Sequence, residues 1–418
     1  MKTPKSKTER IYSLDSLRAI MMLLGLVLHA AITYGAVNYE RSWELKDPNA
    51  VHILNDLLVI IIHAFRMPVF FVVAGFFGAL LFYERAPRTM IKNRISRILY
   101  PFIVFFILLA PLLVFGNYYT NLVFAGNETP WQTAVAYFSN SLAILPAKTY
   151  HLWFLYYLVL LTAAAVLLAF AMQKVPAVSQ KMSGFFNWIF ARPFVRVFFF
   201  ALVTFFTYVI MGIEQVETSM SLIPDANTFV FYFTFYIVGW ILYNSKHLLT
   251  SLKRFDWLNV VLGTLLLLSY IFTYNFLTFE IKITLSSLFV WFLIFGITGL
   301  FIRYASTFSA RMRYISDASY WVYLFHLPLT VLIPALIADW PISGMLKFLI
   351  VLTGTAIPCF LTYHYFVRAT FIGKFLNGRK YPRQISAIRA PKASVVTEKS
   401  KKQEDKTYKE PSTVSMNP

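Results

Sequence analysis

Cysteine is nearly absent. The single one, Cys359, lies in an apolar run, which excludes a disulfide within the chain and gives no support to a cysteine-based metal site. Charge is also scarce: 14% of the 418 residues are charged, where soluble globular chains carry about 25%. Acidic residues number 19 against 38 basic ones. There is no His-Glu-x-x-His run and no carboxylate-rich pair of helices to hold a metal ion. No glycine-rich phosphate loop opens a helix. An internal repeat of the kind that marks many secondary transporters is missing as well.

What the chain has is apolar sequence. Hydrophobic residues make up 58%, with 42 phenylalanines. This composition predicts an all-α, polytopic membrane helical bundle rather than a soluble domain. The formal charge of +19 falls in short loops and in the C-terminal stretch. That distribution follows the positive-inside rule and gives no reason to invoke a nucleic-acid partner. The partner it implies is a lipid bilayer.

About ten spans are expected, near residues 14–37, 53–82, 98–114, 151–172, 195–211, 228–243, 258–276, 283–302, 320–338 and 342–367. Taken alternately, they put Arg85, Arg88, Lys92, Lys174, Lys246, Lys253, Arg303 and Arg311 on one side and Glu44, Glu214, Glu217, Asp225 and Asp339 on the other. Both termini are then expected in the cytoplasm. The first apolar run is longer than the core of a signal peptide and is expected to be retained. Three regions follow: a cytoplasmic segment 1–16, a membrane domain 17–367, and a basic tail 368–418. The tail lacks apolar periodicity and is expected to be disordered.

A few ionisable residues fall inside these spans, where a charge near the bilayer centre costs about 2.5–3.5 kcal/mol on the insertion scale. Arg18 is followed by ten residues and then His29. At about 1.5 Å per residue, the imidazole lies about 16 Å deeper than the guanidinium. A histidine can meet the cost of burial by staying neutral. His29 is either a base in a polar chamber or a core histidine bonded to a neighbouring helix. The second span enters past Asp56 and reaches His63 and Arg66, one turn apart on one face. Arg66 needs an anion, a strong acceptor or water, and a helix carbonyl or Asp56 would also serve. His326 lies inside the ninth span beside Pro328 and reads equally as a packed histidine or a site residue. His151, next to Trp153 at an outer boundary, is an interfacial anchor or a contact to a sugar hydroxyl. Lys92, Arg94 and Arg97 fit nucleotide phosphates or simple enforcement of topology.

Arg18 and His29 at this spacing resemble the Arg/Lys-x10-His motif of the acyltransferase-3 family of integral membrane proteins. The resemblance extends over most of the membrane region, through Phe70-Phe71-Val72-Val73-Ala74-Gly75-Phe76, His151-Leu152-Trp153-Phe154-Leu155 and Tyr323-Leu324-Phe325-His326. Within the family, a glucan-modifying subgroup has counterparts of Tyr12 to Arg18, His63 to Phe71 and Lys92 to Arg97. Ala74 departs from the pattern, since the wider family usually has serine there.

The resemblance implies about ten membrane helices and transfer of an acyl group to carbohydrate outside the cytoplasm. The subgroup implies succinylation of osmoregulated periplasmic glucans at the bacterial inner membrane, with acyl-coenzyme A, succinyl-coenzyme A in particular, as co-substrate and no permanently bound cofactor. His29, His63 and Arg66 would then be catalytic, with Arg18, Arg94 and Arg97 on the donor phosphates. Asp56, His151, Trp153 and His326 would bind or support the acceptor. Two other readings are an O-acetyltransferase for another surface or secreted polysaccharide and a transporter with a histidine- and arginine-lined path.

Overall fold

The computed structural model describes residues 10–39, 42–139, 147–384, 386 and 388. The chain forms α1 (Tyr12–Ala31), α2 (Ile53–Arg85), α3 (Pro87–Arg94), α4 (Tyr100–Phe124), α5 (Pro130–Ser139), α6 (Trp153–Gln173), α7 (Pro176–Ala191), α8 (Pro193–Met211), α9 (Ala226–Asn244), α10 (Asp256–Thr273), α11 (Phe279–Tyr304), α12 (Ala310–Leu336), α13 (Gly344–Thr362) and α14 (Phe371–Asn377). Among the described residues, ten segments are long and apolar enough to cross a membrane: α1, α2, α3 with α4, α6, and α8 to α13. No named strand occurs among the described residues. Helices suit this setting because a membrane span must satisfy its backbone polar groups internally.

The alternation of spans places the basic loops at one end of the bundle and the acidic loops at the other. These are called the basic end and the acidic end below. At the centre, α1 touches α2, α11, α12 and α13. The α2–α9 crossing is close because glycines meet there. A side chain on Gly75 would run into the Tyr236 carbonyl, and one on Gly239 into that of Val72. Small residues of this kind let backbones approach inside a bilayer.

The expected boundaries need correction in three places. The third span does not end near 114, because α4 continues to Phe124. Its last turns pack on α12, where Gly116 meets Val331 and Thr120 Oγ1 donates to the Val331 carbonyl at 2.9 Å. The ninth span begins ten residues early, at Ala310, because Asp317 is buried and paired with Arg313 at 2.7 Å. Nor does the packed part of the chain stop at 367. Arg368 is fully buried, donates Nε to the Pro382 carbonyl at 2.7 Å and Nη1 to the Tyr363 hydroxyl at 2.9 Å. Arg313 donates to the Tyr381 hydroxyl at 2.6 Å, and Leu376 on α14 is buried. Hydropathy missed this segment because a buried guanidinium, not apolar periodicity, holds it. Residues 1–9 of the expected cytoplasmic segment, and 385, 387 and 389–418 of the expected tail, lie outside the described residues.

At the acidic end, Lys347 on α13 and Asp47 form an ion pair at 2.8 Å, each side chain 1% exposed. Lys347 also donates to the Ala338 carbonyl at 2.7 Å. Removing one partner of such a pair strands the other. Lys347→Met is therefore expected to destabilise the fold by about 3–5 kcal/mol, and the double change with Asp47→Leu to recover most of that. Thermal unfolding in detergent of the three variants measures it.

Candidate active site

Pro68 interrupts α2 two residues beyond Arg66 and cannot bond the Ala64 carbonyl. Beside this interruption, four elements converge on one small pocket. Its walls are Met21, Met22, Gly25 and His29 from α1; Arg66, Met67 and Phe70 from α2; His151, Trp153 and Phe154 at the start of α6; and Tyr323 and His326 from α12. The volume open to the centre of a water molecule is only about 20 Å³, room for about one water. Anything larger than a water needs side chains to move before it can enter.

Three imidazoles meet here. The His29 ring lies 5.4 Å from His326, and His326 lies 5.3 Å from His151, edge to face. Backbone carbonyls orient two of them. His326 donates Nδ1–H to the Tyr323 carbonyl at 2.7 Å, with that of Val322 at 3.1 Å, which leaves Nε2 buried with a free lone pair. His151 donates Nε2–H to the Leu324 carbonyl at 3.1 Å, leaving Nδ1 free. A carbonyl can only accept, so these bonds set both tautomers. The Tyr323 hydroxyl donates to the His151 carbonyl at 2.7 Å and ties α12 to α6. His29 Nδ1 is buried without a partner. Its ring stacks on Trp43 at 5.2 Å and 28°, and Trp43 is held by donation to Thr33 Oγ1 at 3.0 Å.

Arg66 brings a guanidinium among these rings. Among the described residues no carboxylate pairs with it, and its Nε is buried without an acceptor. Room for it comes from Gly25, where a side chain would meet Arg66 Nη1. Gly25→Ala is expected to displace the guanidinium and cut transfer at least about tenfold with insertion unchanged, since small misplacements at a reacting centre are costly. Rates in membrane vesicles, normalised to inserted protein, test this.

The other expected site residues lie outside the pocket. His63 is exposed, one turn before Arg66, and does not line it. Asp56 accepts from the backbone N–H of Ala36 at 2.6 Å and of Val37 at 2.9 Å, so its carboxylate fastens the loop that follows α1 to α2. At the basic end, Arg18 lies 3.4 Å from Asp15 and over the Phe77 ring. Arg94 donates to the Ala74 carbonyl at 3.3 Å and keeps Nε buried and unpartnered. Arg97 sits in a π-helical turn, Ile95–Leu99, and packs against Gly378 just past α14. Arg94 and Arg97 are both electrostatic neighbours of Arg18.

Arg18 and His29 belong to one unbroken helix. Eleven residues at about 100° each bring the chain to within about 20° of three full turns, so both face the same way about 16 Å apart. A larger crevice of about 750 Å³ at the basic end, between α3, the start of α4 and Phe170, contains none of the histidines.

Among the described residues, no group of three or more His, Cys, Asp or Glu is placed to hold a metal ion. Sequence reasoning overlooked Gly25 and Trp43, and it placed Phe154 and Tyr323 in motifs without giving them a role in the site. Gly25 had a signal, because it stands one helical turn before His29 on the same face. Trp43 had none, since it reaches His29 from a loop.

Three imidazoles and a guanidinium with no carboxylate partner among the described residues thus meet inside a bundle of membrane-length helices, and a basic mouth lies on the same face of α1 as His29. Residues 11–364 match the acyltransferase-3 family, described as an acyltransferase domain, and the chain belongs to that family of membrane acyltransferases. It is similar to glucans biosynthesis protein C of Salmonella paratyphi B, 26% identical over 393 residues, covering 89% of this chain and 96% of that protein. The proteins of the same name from Salmonella paratyphi A and Salmonella agona are 27% identical over 389 residues, with the same coverage. No solved structure matches the chain.

Proposed function

We propose that the protein moves a succinyl group from cytoplasmic succinyl-coenzyme A to hydroxyls of a periplasmic glucan. It does so across the bacterial inner membrane, with its basic end and both termini in the cytoplasm. The observation that carries this reading is Arg66, a guanidinium with no carboxylate partner among the described residues, set among three imidazoles inside the bundle. A site of this kind is suited to an anionic acyl group and to charge that develops on a carbonyl oxygen.

Arg18, Arg94 and Arg97 receive the donor phosphates at the basic mouth. The long pantetheine arm then follows the α1 face from Arg18 towards His29. The imidazole of His29 takes the proton of the acceptor hydroxyl as the new O–C bond forms. Arg66 steadies the oxyanion or the succinyl carboxylate. As the C–S bond breaks, the imidazolium returns the proton to the leaving sulfur, so the products are glucan ester and free coenzyme A. His326 and His151 border the acceptor hydroxyl, Trp153 and Trp43 shape the wall, and Asp56 supports by holding the loop that follows α1. His63, beside the pocket, becomes a contact when Arg66 moves to admit substrate. The donor is a co-substrate, and no permanently bound cofactor is required.

The test is mass spectrometry of periplasmic glucans from cells with and without the gene. Loss of succinyl substituents is expected. Loss of acetyl groups would overturn the acyl assignment, and unchanged glucans with a changed surface polysaccharide would overturn the acceptor.

A further inference from the structure

Residues 115–139 belong to no part of the site described above. Over that length the chain carries one charged residue, Glu128, and no lysine or arginine. It is rich instead in aromatic rings and side-chain amides. On α4 and α5 the rings form a continuous ridge at the acidic end. Trp131 lies 5.4 Å from Phe115, Phe115 lies 5.5 Å from Phe138, Phe138 lies 6.3 Å from Tyr118, and Tyr118 stacks on Tyr137 at 4.5 Å and 21°. Trp131 is 57% exposed and Tyr137 45%. Gln132, beside Trp131, is exposed as well.

The ridge stands at a useful height. Gly116 and Thr120 on α4 pack against Val331 of α12. Val331 is five residues beyond His326 on that helix, about 7.5 Å further toward the acidic end.

We propose that this ridge is the surface on which the acceptor, a neutral sugar chain, lies while one of its hydroxyls is presented to the histidines. The inference rests on the glucan reading above and adds a binding site to it. The C–H faces of hexose rings pack on exposed aromatic faces, and their hydroxyls match the paired donor and acceptor of an amide such as Gln132. Anionic lipid headgroups are the poorer match, because the segment offers them no cation. A simple interfacial belt uses aromatic rings at headgroup depth as anchors. Here the rings pack on one another across two helices, with Trp131 and Tyr137 left exposed.

The experiment uses the full chain in zwitterionic lipid nanodiscs with a soluble glucose oligosaccharide. In a transfer assay, Trp131→Ala and Tyr137→Ala are expected to raise the acceptor KM about tenfold each, while kcat and the donor KM stay unchanged. Trp131→Tyr, which keeps a ring, should restore most of the acceptor affinity. In parallel, hydroxyl-radical footprinting of the unaltered protein, without donor, should show residues 128–139 protected by the oligosaccharide. That arm decides the matter if an alanine variant fails to insert. An unchanged acceptor KM together with lipid-dependent loss of thermal stability would make the ridge a membrane anchor and overturn the proposal. So would absence of protection in a protein that transfers to glucan, with the functional reading left standing. Protection without any transfer to glucan would instead sink the functional reading and leave the binding site.

Discussion

His29→Ala is expected to abolish measurable transfer while expression and membrane insertion stay nearly normal. Loss of a general base typically lowers a rate by about 10²–10⁴-fold. The structural cost is small by comparison. His29 Nδ1 has no hydrogen-bond partner to strand, and the ring is held by stacking on Trp43 and contact with His326. Leaving a buried polar group unpaired would cost on the order of 1–3 kcal/mol, and here there is none on the far side of a bond to His29. Arg18→Ala should behave differently. Arg18 sits at the basic mouth beside Asp15 and Phe77, away from the pocket. Its loss should raise the donor KM and be overcome, at least in part, by more acyl-coenzyme A in membrane vesicles. The defect of His29→Ala should not respond to donor. Equal rescue of both variants would remove His29 from the role of base.

Arg66→Met should separate function from stability in opposite directions. Loss of a preorganised cationic donor to an oxyanion lowers kcat by about 10²–10³-fold. An Arg66 that served only to hold the fold would instead lower the melting temperature when replaced. Among the described residues it has no carboxylate partner, and its Nε is buried without an acceptor. A flexible apolar side chain of similar length removes an uncompensated charge, so the thermal midpoint in detergent should hold or rise. The comparison is Lys347, whose buried pair with Asp47 should make the fold weaker when broken. A clear fall in midpoint for Arg66→Met with transfer retained would show a structural arginine and end the mechanism proposed above.

The sequence by itself determined the number of spans and the existence of one reactive helix face. Hydropathy is a local property, and a segment such as Phe279–Tyr304 is apolar whatever it packs against. Arg18 and His29 were legible for the same reason. They share the continuous helix Tyr12–Ala31, so their spacing alone sets their relative position. Where ends were misjudged, contacts between distant segments decided. Thr120 bonding Val331 carries α4 outward, and Arg368 bonding Pro382 holds the chain beyond 367. Periodicity says which face of a helix a residue occupies and not which helix stands opposite. Only the tertiary structure brought His151 and His326 beside His29, because that depends on how α1, α6 and α12 pack. It alone removed Asp56 from the pocket, by giving its carboxylate to the backbone N–H groups of Ala36 and Val37. It also left Arg66 without a carboxylate partner among the described residues, since Asp56 stands ten residues away on the same helix, about 15 Å along its axis.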